Sequence, residues 1–122
     1  MPGERKNMKE KNLTTQFRTT LITECRKNNI LGFYYKIPDT KGLGGMRPFD
    51  SFLLMHSKFF AFEFKVKNRK ATKVQSYFLD LVKKCGGVSY MVDENNYKMI
   101  INKIISIAIL IKRMGSKMLE TK

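Results

Sequence analysis

Asp50, Glu63 and Lys65 are the residues whose types and spacing could do chemistry. They stand in RPFDSFLLMHSKFFAFEFKVKN, residues 47–68, an aromatic run otherwise suited to the inside of a sheet. Side chains alternate along a strand, so Phe60, Phe62, Phe64 and Val66 share one face, while Glu63, Lys65 and Lys67 share the other. With strands at 50–56 and 59–67 and Ser57-Lys58 as a two-residue turn, Asp50 faces Lys65 and lies diagonal to Glu63. Diagonal neighbours sit about 7–8 Å apart at Cα, and two carboxylates leaning inward can close that gap around a cation. Mg²⁺ suits such a pair, because it takes a few carboxylate oxygens together with water and substrate phosphate. Mn²⁺ could take its place. A cation held there would polarise a phosphoryl oxygen and acidify a bound water. Lys65 could orient or deprotonate the attacking water, or stabilise the developing charge. The Phe64 carbonyl is a natural further ligand. The chemistry that fits is phosphodiester hydrolysis. A three-residue turn would flip one strand and abolish the site. The competing reading is a cross-strand Asp50–Lys65 salt bridge on a solvated face, with Glu63 incidental.

The elements that must position these residues follow from periodicity. Residues 1–12 read as a basic flexible tail. From Thr14 or Thr15, either able to cap it, a helix runs to about Asn29 with Phe17, Leu21 and Cys25 as its buried stripe. LGFYYKIP reads as a strand stopped by Pro38, and DTKGLGGMRP as a glycine-rich loop. Beyond the hairpin, ATKVQSYFLDLVKKCGG reads as a helix capped by Thr72, with Val74, Phe78, Leu81 and Cys85 on one face. Gly86 can end it in the left-handed conformation. VSYMV is a strand and YKMIIN a further one. From about Lys103 a last helix places Ile104, Ile107, Ile111, Met114 and Met118 on one side. The order α-β-β-β-α-β-(β)-α predicts an α/β fold, a central mixed sheet of about four or five strands flanked by helices, in a single domain over 13–122.

Charge narrows the partner. The 122 residues carry 24 Lys+Arg against 10 Asp+Glu, a net +14, which calls for a polyanion, nucleic acid ahead of an anionic membrane surface. KVKNRKATK, residues 65–73, holds five basic residues and no acid. Lys67, Arg69, Lys70 and Lys73 could grip phosphates flanking the scissile one, and Lys36, Lys41 and Arg47 flank the glycine-rich loop. The alternative for each is a solvated basic side chain. Cys25 and Cys85 form no CxxC or Cys/His pattern, so neither a disulfide framework nor a zinc finger is expected. The charged start lacks the apolar core of a signal peptide, and IISIAILI is too short to span a bilayer. The expectation is a cytoplasmic protein of a prokaryotic, archaeal or phage- or virus-infected cell.

Asp50, twelve intervening residues, then Glu63-Phe64-Lys65 resembles the PD-(D/E)XK nuclease signature, with Pro48-Phe49-Asp50 at its opening. The stretch VQSYFLDLVKKCGGVSYMV is similar to the glutamine-bearing helix, Gly-Gly and strand of archaeal Hjc-like and RecU-like Holliday junction resolvases and of VRR-NUC domains. The resemblance covers about residues 14–93 and implies a restriction-endonuclease-like core. It also implies that Asp50 and Glu63 bind metal, Lys65 is the catalytic lysine, and Gln75 assists near the metal water or the phosphate. Thr72-x-x-Gln75 is equally a capping box, and both roles can coexist. Many family members carry an acid in the first helix, where RecU-type chains have Phe-Glu. This chain has Phe17-Arg18, which leaves Glu24 as the candidate ligand or as an ordinary exposed charge.

The expected activity is therefore a Mg²⁺-dependent, structure-specific endodeoxyribonuclease, foremost a Holliday junction resolvase. A VRR-NUC-like repair or restriction nuclease is the second reading, and a non-catalytic basic nucleic-acid-binding protein the third. Ile105, Ile109 and Leu110 make the last helix apolar on more than one side, so it could serve as a dimer element, as in the resolvases resembled, which work as dimers. The alternative is a helix buried in its own core.

Overall fold

Leu13, Phe17, Leu21 and Cys25 are buried at four-residue spacing, and this stripe defines α1 (Glu10–Lys27). The computed structural model describes residues 10–38, 47–66 and 69–120, with only the backbone for 116–120. The helix is under way before either threonine expected to cap it. The Thr14 and Thr15 hydroxyls donate back to the Glu10 and Lys11 carbonyls, at 3.0 and 3.1 Å, a mid-helix arrangement. Residues 10–12 of the expected tail are thus helical, and 1–9 lie outside the described residues. Asn29 turns the chain out of the helix with φ 55°, and the Ile30 N–H donates to the Cys25 carbonyl at 2.8 Å.

Three antiparallel strands follow, β1 (Phe33–Lys36), β2 (Ser51–Met55) and β3 (Lys58–Phe64). The hairpin between β2 and β3 pairs Met55 with Lys58 and turns on His56-Ser57, whose φ values of 46° and 64° are both left-handed. The turn is therefore one residue earlier than the expected Ser57-Lys58, and the register differs by two. An even shift keeps every side chain on its expected face. Phe60, Phe62 and Phe64 face one way, and Ala61 and Glu63 the other.

The Thr72 hydroxyl caps α2 (Lys73–Lys84) through the expected capping box, and Gly86 ends it at φ 92°. Its inward face differs from the expected one. Leu79 is buried and Val82 partly so, whereas Val74, Leu81 and Cys85 are exposed. Gly87 lies so close to β3 that a Cβ would stand 3.1 Å from the Phe59 carbonyl and 2.8 Å from the Val82 side chain. That approach sets the helix into β4 (Val88–Val92), which pairs parallel with β3. YKMIIN is not a strand but the first turns of α3 (Tyr97–Glu120). The Asp93 carboxylate accepts the N–H groups of Asn95 and Asn96, at 2.8 and 2.7 Å, while the Asn96 side chain returns a bond to the Asp93 N–H. This local capping outweighs the strand-like composition of the run.

The result is an α/β fold, a four-stranded mixed sheet of order β1-β2-β3-β4 with three described helices flanking it. The main core joins α1 and α3 to the phenylalanine face. Phe17 meets Phe62 and Phe64 edge-on, with ring centroids 4.8 and 5.3 Å apart. A smaller core of Phe49, Ala61 and Leu79 lies beneath α2 on the other face. Ile100, Ile101, Ile104, Ile105 and Ala108 are buried, so the first turns of α3 spend much of their surplus apolar surface on the chain's own core. Leu110 and Met114 remain exposed, and the Met118 side chain lies outside the described residues. No helix among the described residues is long and apolar enough to cross a membrane.

Candidate active site

The β2–β3 hairpin brings two acids together at the end remote from its turn. The pairing ends at Ser51–Phe62, and Asp50, one residue beyond it, bonds the residue before Glu63 and lies close enough for the two carboxylates to interact. Both are buried, at 6% and 3% exposure. Asp50 is fixed from three directions. Its N–H donates to the Phe62 carbonyl at 2.9 Å, its Oδ2 accepts the Phe64 N–H at 2.8 Å, and its Oδ1 meets the Arg47 guanidinium at 2.7 Å. Glu63 Oε2 accepts from Gln75 Nε2 at 2.7 Å and lies 3.7 Å from Lys65 Nζ. Lys65 stands just past β3, where its N–H donates to the Val92 carbonyl at 2.9 Å.

Gln75 holds both roles that the sequence left open. Its Oε1 accepts the Thr72 N–H at 2.9 Å and its own N–H donates to the Thr72 hydroxyl at 3.2 Å, which completes the capping box. Its Nε2 meanwhile donates to Glu63 Oε2. The first turn of α2 is thereby tied to the acidic pair.

Burial, and then the neighbouring Asp50 carboxylate, push Glu63 up to about 8, against the opposing pull of Lys65 and Arg47. A position that favours charge neutralisation this strongly is suited to a cation. The donor set is of the right kind, two carboxylates supplying hard oxygens, and Mg²⁺ needs no more protein ligands than this when water and phosphate complete its sphere.

Other expected residues divide. Glu24 does not reach the pair. It sits near the end of α1, seven residues beyond the Phe17 that touches Phe64, or about 10 Å by helical rise. Its carboxylate lies 3.4 Å from Lys27 instead. Among the described residues no group of three His, Cys, Asp or Glu side chains forms, so the acids stand as a pair. Arg47 is not a free phosphate-binding cation, since it bonds Asp50 and, at 3.3 Å, the Ile37 carbonyl. Sequence reasoning missed this, although an arginine three residues before an aspartate is a local pair that could have been weighed. Lys36, Arg69, Lys70 and Lys73 are exposed. Lys41 and Lys67 lie outside the described residues. His56 sits in the hairpin turn, at the opposite end from the acids.

No protein-family model, curated protein or solved structure matches the chain. Function is therefore read from the site and its surroundings.

Proposed function

We propose that the chain is a Mg²⁺-dependent endodeoxyribonuclease of the PD-(D/E)XK type, acting on branched DNA and foremost on four-way junctions. The observation that carries this reading is the buried Asp50–Glu63 pair with Lys65 and Gln75 on Glu63, at the strand ends, with Arg69, Lys70 and Lys73 exposed between Lys65 and Gln75 in the chain. Asp50, Glu63 and the Phe64 carbonyl would hold the metal, and Mn²⁺ could replace Mg²⁺. When bound, the metal would supply charge stabilisation at the phosphoryl oxygens and acidify water. Lys65, held by Glu63 and the β4 backbone, would place its ammonium where negative charge develops. Gln75 would orient Glu63 and present amide hydrogens to the phosphate or the attacking water. Arg69, Lys70 and Lys73 would bind flanking phosphates, with affinity falling by about 0.9 log units per tenfold salt for each phosphate neutralised. The net charge of +14 supports a nucleic-acid partner. Cutting both strands of a junction calls for two sites, and the exposed Leu110 and Met114 of α3 would join two copies.

One assay tests this. Wild type, Asp50→Asn and Glu63→Gln are compared on a synthetic four-way junction, a flap and plain duplex, with Mg²⁺. The expected result is junction cleavage by wild type and a loss of at least about 100-fold in either variant, with DNA binding retained. Binding without cleavage of any substrate by wild type would sink the nuclease reading. Cleavage of flaps alone would favour the repair-nuclease alternative.

A further inference from the structure

On the acidic face of the sheet α2 packs on β3 and β4, and among the described residues β1 and β2 are the less covered strands there. What they expose there is mostly aromatic. Phe33 and Tyr35 on β1 are 56% and 44% exposed, and Phe52 on β2 and Phe59 on β3 are half-buried beside them. The rings form a continuous row. Centroids are 6.1 Å apart for Phe33 and Tyr35, 5.7 Å for Tyr35 and Phe52, and 5.2 Å for Phe52 and Phe59.

The row is continuous with the acidic pair. Tyr35 pairs with Phe52, and the next step along the same face is Ile37 with Asp50, where the Ile37 N–H donates to the Asp50 carbonyl at 2.9 Å. Phe52 and Asp50 are therefore two residues apart on one strand face, about 6.5 Å. This is close to the rise of one nucleotide in an extended strand. Glu63 is the sole acid within the four strands, and at the Asp50 end of the row the Arg47 guanidinium meets the Asp50 carboxylate and the Ile37 carbonyl.

We propose that Phe33, Tyr35 and Phe52 form a stacking platform for unpaired bases of a nucleic-acid strand whose phosphates run to Asp50 and Glu63. The proposal rests on the nuclease reading for the direction of the strand, and it specifies the substrate: unpaired bases lie next to the scissile phosphate. Three features favour this occupant over an apolar protein partner. The exposed groups are chiefly flat rings, which accept any base on their faces. The chain carries +14, which complements a polyanion. The row also leads into the acidic pair and does not stop short of it.

The test is binding in EDTA, so that no strand is cut, by fluorescence anisotropy with two labelled probes of one length. One is a single-stranded DNA 12-mer and the other an abasic strand with the same phosphates. Phe33→Leu and Tyr35→Leu keep apolar bulk at exposed positions while removing the rings, and circular dichroism checks that each is folded. Each should weaken binding of the base-bearing strand by roughly five- to a hundredfold, as loss of one stacked base implies. Tyr35→Phe should restore it, and abasic-strand affinity should stay unchanged. Equal affinity of wild type for both probes, or no loss in either leucine variant, would overturn the platform. So would a wild-type dimer in sedimentation that Phe33→Leu disperses, since the row would then be a protein interface. If wild type stacks bases in this way but cleaves no substrate with Mg²⁺, the nuclease reading fails and the platform stands.

Discussion

Gln75 Nε2 donates to Glu63 Oε2 at 2.7 Å while Gln75 Oε1 accepts the Thr72 N–H at 2.9 Å. One amide thus closes the N-terminus of α2 and orients a buried acid. Because the amide plane is rigid, the two contacts constrain each other, and the helix start positions the site.

The two halves of that arrangement can be separated. Thr72→Ala removes the hydroxyl that accepts the Gln75 N–H but leaves the Gln75 side-chain amide free to meet Glu63. It should cost about 1 kcal/mol of stability, as lost caps do, with cleavage per folded molecule little changed. Gln75→Ala should cost a similar amount and also reduce cleavage, by about tenfold or more, because Glu63 loses its orienting donor. Urea denaturation and cleavage rates at a temperature where both variants are folded give the comparison. Equal cleavage by the two variants would show that Gln75 only caps.

Much of this was legible before the fold was known, and the reason is local. The capping box, the left-handed Gly86 and the alternation of Phe60, Phe62 and Phe64 against Glu63 each depend on residues within a few positions of one another. What was not legible depended on backbone strain or distant packing. His56 and Ser57 both adopt positive φ without the glycine or asparagine that advertises such a turn, so the register was misplaced by two residues. A shift of two residues keeps Glu63 on the face opposite the phenylalanines. The inward face of α2 turned on whether Leu79 or Val74 met the sheet, which its own periodicity could not decide.

Arg47 competes for Asp50. Its guanidinium holds Oδ1 at 2.7 Å, an oxygen that a divalent cation would also need. Arg47→Met should therefore lower the Mn²⁺ or Mg²⁺ concentration for half-saturation by about three- to tenfold, the worth of a charged hydrogen bond in a partly exposed setting. Calorimetric titration without DNA measures this. Weaker metal binding in the variant would mean that the arginine organises Asp50 and does not block it.

The position of Glu63 predicts a pH dependence in the metal-free chain. Its folded pKa is raised to about 8, from 4.5 in the unfolded chain, first by burial and then by Asp50. Between those values the folded state holds a proton that the unfolded state has released. Stability is thus greatest below the lower value and falls as pH rises through the window, by at most about 1.4 kcal/mol per pH unit. Melting temperatures in EDTA from pH 5 to 8 should decline more steeply for wild type than for Glu63→Gln. Parallel profiles would show that Glu63 is not titrating in this range.

Phe17 links the first helix to the strand that carries the acid. It is fully buried, edge-on to Phe62 and Phe64 on either side of Glu63. Phe17→Ala should cost about 3–5 kcal/mol, the usual range for a large ring removed from a core. That is a large share of the roughly 5–15 kcal/mol that holds a domain folded. Phe33→Ala, at a ring 56% exposed, should cost under about 1 kcal/mol. Guanidinium denaturation of the pair tests whether the main core lies on the α1 side of the sheet, and similar losses would contradict it.

The hairpin turn offers the sharpest check on the register that assembles the site. His56 and Ser57 have φ values of 46° and 64°, where an L side chain is strained and glycine is not. Ser57→Gly combined with His56→Asn would install the pair that such a turn favours, and should stabilise the chain by about 0.5–1.5 kcal/mol. If the turn were Ser57-Lys58, the asparagine would fall in a strand and the glycine at the first turn position. The double variant would then gain less than Ser57→Gly alone, since asparagine is disfavoured in strands. A double variant more stable than either single change places Met55 opposite Lys58 and Ser51 opposite Phe62, the pairing that brings Asp50 next to Glu63. A double variant less stable than Ser57→Gly would contradict this turn and set Asp50 opposite Lys65, only diagonal to Glu63.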